Sequence, residues 1–140
     1  MRVRKWAEFS SDLPDDCVDD GYIVRFCGKS VSEALAAILQ RLGCKVDPPR
    51  YDDAHGWELD LSYQKRRLCC QVTLIEKYLL NVDDISWVRA IIGGYHPALV
   101  DLLRRLGEEL ASDPHFHDVR WFRVDEVHSG IEGAREPVTN

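Results

Sequence analysis

The residues whose types and spacing point to chemistry cluster near the end of the chain, in HFHDVRWFRVDEVH from His115 to His128. On an extended strand His115 and His117 share one face, so both imidazoles can reach a single ion, a spacing that metal sites use. A third ligand is harder to find: Asp118 points the other way, His128 lies past the strand, and His55 and His96 belong to other loops. His115 and His117 are therefore weak metal candidates. The expected role of DPHFHD is a polar turn from helix to strand with Phe116 tucked inward, and no metal or cofactor is expected. A second pair, Glu58 and Asp60, alternates onto one strand face as the carboxylates of a glycosidase or nuclease do. A solvated polar face produces the same alternation. Nucleophilic catalysis needs a base and an orienter within reach of the nucleophile. The chain has no GxSxG, no HExxH and no Gly-rich phosphate loop, since Gly93 and Gly94 lack the required spacing. No catalytic residue is nominated, and the expectation is a protein that is not an enzyme.

The elements that must position these groups follow from periodicity. GYIVRFCG, from Gly21 to Gly28, is rich in β-formers between glycines and reads as a strand. In KSVSEALAAILQRLGC, Ser30 and Glu33 form a capping-box pattern. Val31, Leu35, Ile38, Leu39 and Leu42 then recur on one helical face before Gly43 stops the helix. KVDPPRYDDAHG reads as an acidic loop, because prolines lack donors and Asp and Gly favour turns. WELDLSY alternates, with Trp57, Leu59, Leu61 and Tyr63 on one face. QKRR turns the chain and LCCQVTLIE returns it as an antiparallel hairpin, with KYLLNVD as a third strand.

Residues 84–92 are expected to hold a short helix capped by Asp84, although their β-branched content also permits a strand. Pro97 opens a second main helix with the stripe Leu99, Leu102, Leu103, Leu106 and Leu110. Gly107 weakens that helix by about 1 kcal/mol relative to Ala. DVRWFRVDEV closes the fold as a strand, with Val119 and Trp121 on one face and Phe122 and Val124 on the other, and residues 129–140 read as a frayed tail. The sum is one α+β domain over residues 1–140: an antiparallel sheet of about four to five strands with two main helices packed on one face.

Composition narrows the function classes. A net charge of −6 argues against a nucleic-acid surface, which needs Lys and Arg in excess. No apolar run is long enough to span a bilayer and no export signal opens the chain, so the expected location is the cytoplasm. Five cysteines without a CxxC spacing fit that compartment as buried, reduced thiols. The negative charge is concentrated in DLPDDCVDD (Asp12 to Asp20) and DPPRYDDAHGWELD (Asp47 to Asp60), runs that serve solubility or steer a basic partner. Of the four tryptophans, Trp57 and Trp121 suit the core, whereas Trp6 and Trp87 have polar neighbours and suit a contact surface.

A long helix followed by LASDPHFHDVRWF, preceded by a Trp-bearing acidic hairpin, resembles the small α+β immunity proteins encoded beside bacterial polymorphic toxins. The resemblance covers the C-terminal two-thirds of the chain. It implies a cytosolic protein without a catalytic site that binds one cognate toxin, by placing acidic groups against a basic cleft. The partner-binding residues nominated on this reading are Trp6, Asp15, Asp16, Asp19, Asp20, Asp52, Asp53, Glu58, Asp60 and Trp87. The partner is expected to be a toxin with a basic surface, not nucleic acid or membrane, and the oligomeric state is open. Two other classes fit the size and charge. A secretion chaperone would dimerise around an unfolded client, and a small metal-dependent enzyme would carry stoichiometric metal.

Overall fold

The computed structural model describes residues 1–19, 21, 24–86 and 94–140. In chain order the elements are β1 (Arg2–Val3), β2 (Trp6–Ser11), β3 (Val18–Asp19), β4 (Val24–Arg25), α1 (Lys29–Arg41), β5 (Lys45–Val46), β6 (Arg50–Asp52), β7 (Gly56–Tyr63), β8 (Arg66–Leu74), β9 (Tyr78–Asp84), α2 (Pro97–Ser112), β10 (Phe116–Phe122) and β11 (Val138–Thr139). The main sheet is antiparallel and has seven strands in the order β10-β2-β9-β8-β7-β5, with β6 also pairing with β7. The α+β class and the two packed helices are as expected, but the strand number is larger.

The extra strands come from two places. WAEFSS forms β2 between β10 and β9, because Ala7 and Phe9 alternate into the core while Trp6 and Glu8 face away from it. The expected loop KVDPPRYDDAHG supplies β5 and β6, which run along the edge of β7 on either side of Pro48 and Pro49. Prolines are tolerated there because an edge needs fewer donors, and they also blunt it against pairing with another chain.

The predicted hairpin and third strand form as β7, β8 and β9. Gln64 and Lys65 take positive φ values of 47° and 65° in the two-residue turn, which matches the twist of the flanking strands. Arg66, the last residue but one of the expected QKRR turn, opens β8 and pairs with Asp84 at 2.8 Å with both side chains largely buried. One sheet face carries Phe9, Leu59, Val72 and Leu80, and packs with the apolar stripes of α1 and α2 into a single core. Tyr63 joins the layers, since its hydroxyl bonds Asp101 of α2 and accepts from Arg105 at 2.8 Å.

The helix-free face follows from the register. A single row crosses six strands as Phe122, Trp6, Asn81, Gln71, Glu58 and Arg50.

Two local expectations are corrected, and a third falls largely on residues that are not described. The Ser30–Glu33 capping box does not form: Gly28 occupies the cap position of α1 at φ 123°, and Asp16 supplies the capping carboxylate from the preceding loop. Asp84 is the last residue of β9 and its carboxylate accepts from Ser86 N–H at 2.9 Å, while residues 87–92 of the expected helix lie outside the described residues. The tail also returns to the body. Ala134 bridges Trp121, Val138 is buried, and β11 pairs with β1. This return explains Gly107, because a Cβ there would stand 2.6 Å from Pro137 Cδ. The helix gives up propensity so that the C-terminal segment can lie against it.

Candidate functional site

Strand direction decides where the acidic stretches go. β2 ends, β9 begins, β8 ends and β7 begins at the same end of the sheet, as the pairs Phe9 with Tyr78, Leu74 with Tyr78 and Trp57 with Val72 require. The loop after β2 and the turn after β6 therefore meet there. Phe26 N–H donates to the Tyr51 hydroxyl at 3.0 Å, Trp57 Nε1 donates to Phe26 O at 3.2 Å, and the Arg25 guanidinium lies over the Tyr51 ring. Asp12, Asp15, Asp16, Asp52, Asp53 and Glu76 all belong to this end, together with the exposed apolar side chains of Phe26 and Ile75.

The nominated carboxylates differ in what they are free to do. Asp15 accepts a hydrogen bond from the Tyr78 hydroxyl at 2.7 Å, and burial followed by this bond raises the Tyr78 pKa. Asp16 has φ 58° and accepts from Ser30 N–H at 2.9 Å and from the Ser30 hydroxyl. Its charge thereby sits at the positive end of the α1 dipole. Asp52 accepts from Ala54 N–H at 2.8 Å within its own turn. Glu58 is buried on the helix-free face and takes Arg50 at 2.5 Å, while Asp60 meets the same guanidinium at 3.4 Å. Asp53 and Glu76 are exposed and have no ion-pair partner among the described residues. Asp19 lies in the short β3–β4 ribbon, opposite Val24. Asp20 and Trp87 lie outside the described residues.

Trp6 is not part of the acidic end. It opens β2, about 17 Å along the strand from that end at the usual rise per residue. There it is half-buried on the helix-free face between Phe122 and Asn81. Asn81 Oδ1 beside it is buried without a hydrogen-bond partner among the described residues. The nominated surface thus divides into an acidic end and a separate aromatic position.

The histidine pair gathers no group of three ligands among the described residues. His115 precedes β10, and its Nδ1 lies 2.8 Å from Asp12 Oδ1, whereas His117 faces Ser10 within the sheet. The hydrogen bond between His115 and Asp12 is the chief reason that the Asp12 pKa lies below its ordinary value and that of His115 above. A different triad comes together instead: ligand atoms of Asp52, His55 and Glu58 lie within 4.8 Å of one another. The Arg50 guanidinium already neutralises Glu58 there, which weakens the site for a cation. No periodicity marks this grouping, because it depends on β6 folding back along β7.

The thiols also depart from expectation. Cys17 and Cys27 form a disulfide that closes the β3–β4 ribbon, correcting the reading of all cysteines as reduced. Cys44, Cys69 and Cys70 are free. Burial pushes the Cys44 and Cys69 thiols up to about 11, with the Glu58 and Asp60 charges adding at Cys69, and raises Cys70 as well. Such thiols are protonated near neutral pH and are poor nucleophiles. No helix among the described residues is long and apolar enough to cross a membrane. Compared with family models, with curated proteins and with solved structures, the chain matches none.

Proposed function

We propose that this chain is a non-enzymatic protein-binding module of the immunity type, which neutralises a toxin by covering a basic surface. The observation that supports it best is the convergence of two acidic stretches, distant in sequence, at one end of the sheet around exposed Phe26 and Ile75. Apolar anchors ringed by carboxylates suit an interface with a basic partner, since the anchors contribute affinity and the charges contribute association rate. Asp53 is the nominated carboxylate best suited to contact, while Asp15 and Asp16 act by holding the loop in place. Cytoplasmic placement belongs to the same proposal. The Cys17–Cys27 disulfide weighs against it, because reducing pools keep cytosolic thiols free.

The test is capture of partners by the full chain from a lysate of its own source, at low and then moderate salt. The expected result is one stoichiometric, basic protein that survives moderate salt. Its association should slow with added salt and, by several-fold, with Asp53→Lys. Retention of nothing at either salt would overturn the proposal.

A further inference from the structure

Resting on the binding-module reading, we propose that a cleft on the helix-free face beside the acidic end receives an arginine side chain of the partner protein. The cleft has a volume of about 560 Å³ and is lined by Glu8, Ile75, Glu76, Lys77, Leu79 and His128. Its apolar part is Ile75, which is 63% exposed just beyond β8, and Leu79, which stands opposite Glu8 and Thr73 in the sheet. An exposed β-branched side chain on a turn gains nothing from solvent, whereas the methylenes of an arginine can cover it.

The charges of the cleft favour a cation that brings more donors than the one already there. Glu76 has no ion-pair partner among the described residues. Lys77 Nζ is shared between Glu8 and Asp118 at 3.9 Å from each, the outer limit of an ion pair, and Arg120 already holds Asp118 at 2.9 Å, which leaves Glu8 and Glu76 as the carboxylates open to a further cation. An ammonium is a compact, strongly hydrated point charge, so at that separation it leaves carboxylate lone pairs to water. A guanidinium is planar, less hydrated and carries five donors, and can bind Glu8 or Glu76 through two parallel hydrogen bonds. Lys77 then acts as a competitor within the cleft. Its removal should therefore strengthen binding, a sign that a merely structural lysine would not produce.

The test is titration of the isotope-labelled full chain with N-acetylarginine methylamide, followed by amide NMR shifts, with the lysine and norleucine counterparts as parallel arms. The arginine probe should shift residues 75–79 and Glu8, and the norleucine probe should leave them still. Lys77→Gln should raise the affinity several-fold, and Glu8→Gln with Glu76→Gln should lower it by about tenfold, the usual weight of a charge-assisted pair. The proposal is overturned if the shifts fall only on the loops at 12–20 and 52–53, if norleucine or lysine binds as well as arginine, or if Lys77→Gln leaves the affinity unchanged. A lysate partner held equally well by the Glu8→Gln, Glu76→Gln protein would also remove the cleft, while leaving the binding module intact. Because Lys77→Gln is a surface change with an expected gain, a folding defect in the double variant cannot mimic the result.

Discussion

The two acidic stretches read alike in the sequence, yet the fold commits their carboxylates to different partners and leaves Asp53 of the second without one among the described residues. In the first, Asp15 and Asp16 are exposed yet committed: one holds Tyr78 and the other caps α1 across a loop closed by Cys17 and Cys27. In the second, Glu58 and Asp60 are held by Arg50, and Asp53 stands at the turn with no ion pair among the described residues. Carboxylate density measures neither free charge nor exposure. What matters is whether an N–H, a hydroxyl or a guanidinium is already in place to receive each group.

The sharpest way to break this comparison is to remove the cross-link. Replacing Cys17 and Cys27 with Ser should lower the unfolding free energy by about 2–3 kcal/mol, the chain-entropy value for a loop of this length. Urea denaturation measures it, and an unchanged midpoint would mean that the first loop is not held by the bond. Next in size is Asp16→Ala, expected to cost about 1 kcal/mol through loss of the α1 cap. Asp53→Ala should stay within about 0.5 kcal/mol, as an exposed substitution does. Equal losses at the two positions, read from thermal unfolding, would erase the distinction between committed and free aspartates.

The smallest effect concerns Asp12 and His115 at the margin of the first stretch. The hydrogen bond between them lowers Asp12 below 3.8 and raises His115 above 6.5. The contribution of His115 to stability is complete below pH 6.5 and fades as pH rises through its raised pKa. That of Asp12 is complete above pH 3.8 and fades as pH falls through its lowered pKa. The contact is therefore strongest between those values. An NMR titration of His115 should give a midpoint above 6.5 that falls back in Asp12→Asn, and a midpoint indifferent to Asp12 would refute the pairing.

Much of the frame was legible in the sequence because it rests on local repetition. The stripes of α1 and α2, the alternation of β7 and the return of β8 and β9 each place apolar groups on one side by period alone. β2 carries the same alternation in WAEFSS, but over only six residues beside an acidic, proline-bearing run, where the signal is weak. β5 and β6 were not legible, since two or three residues near prolines become strand only when β7 offers a partner. The polar composition of the tail predicts fraying, and only the close approach of Pro137 to Gly107 and of Ala134 to Trp121 shows why it stays.

By itself, then, the sequence determined the α+β class, the two helices and the acidic character, all of which depend on composition and on periods of two and 3.6 residues. Only the tertiary structure decided that Asp16 caps a helix lying beyond the disulfide loop, that Cys17 meets Cys27, that Trp6 stands apart from the acidic end, and that His55 rather than His117 joins two carboxylates. Each of these is a contact between segments whose separation is set by strand direction and register. No local pattern encodes that geometry until the sheet has closed around it.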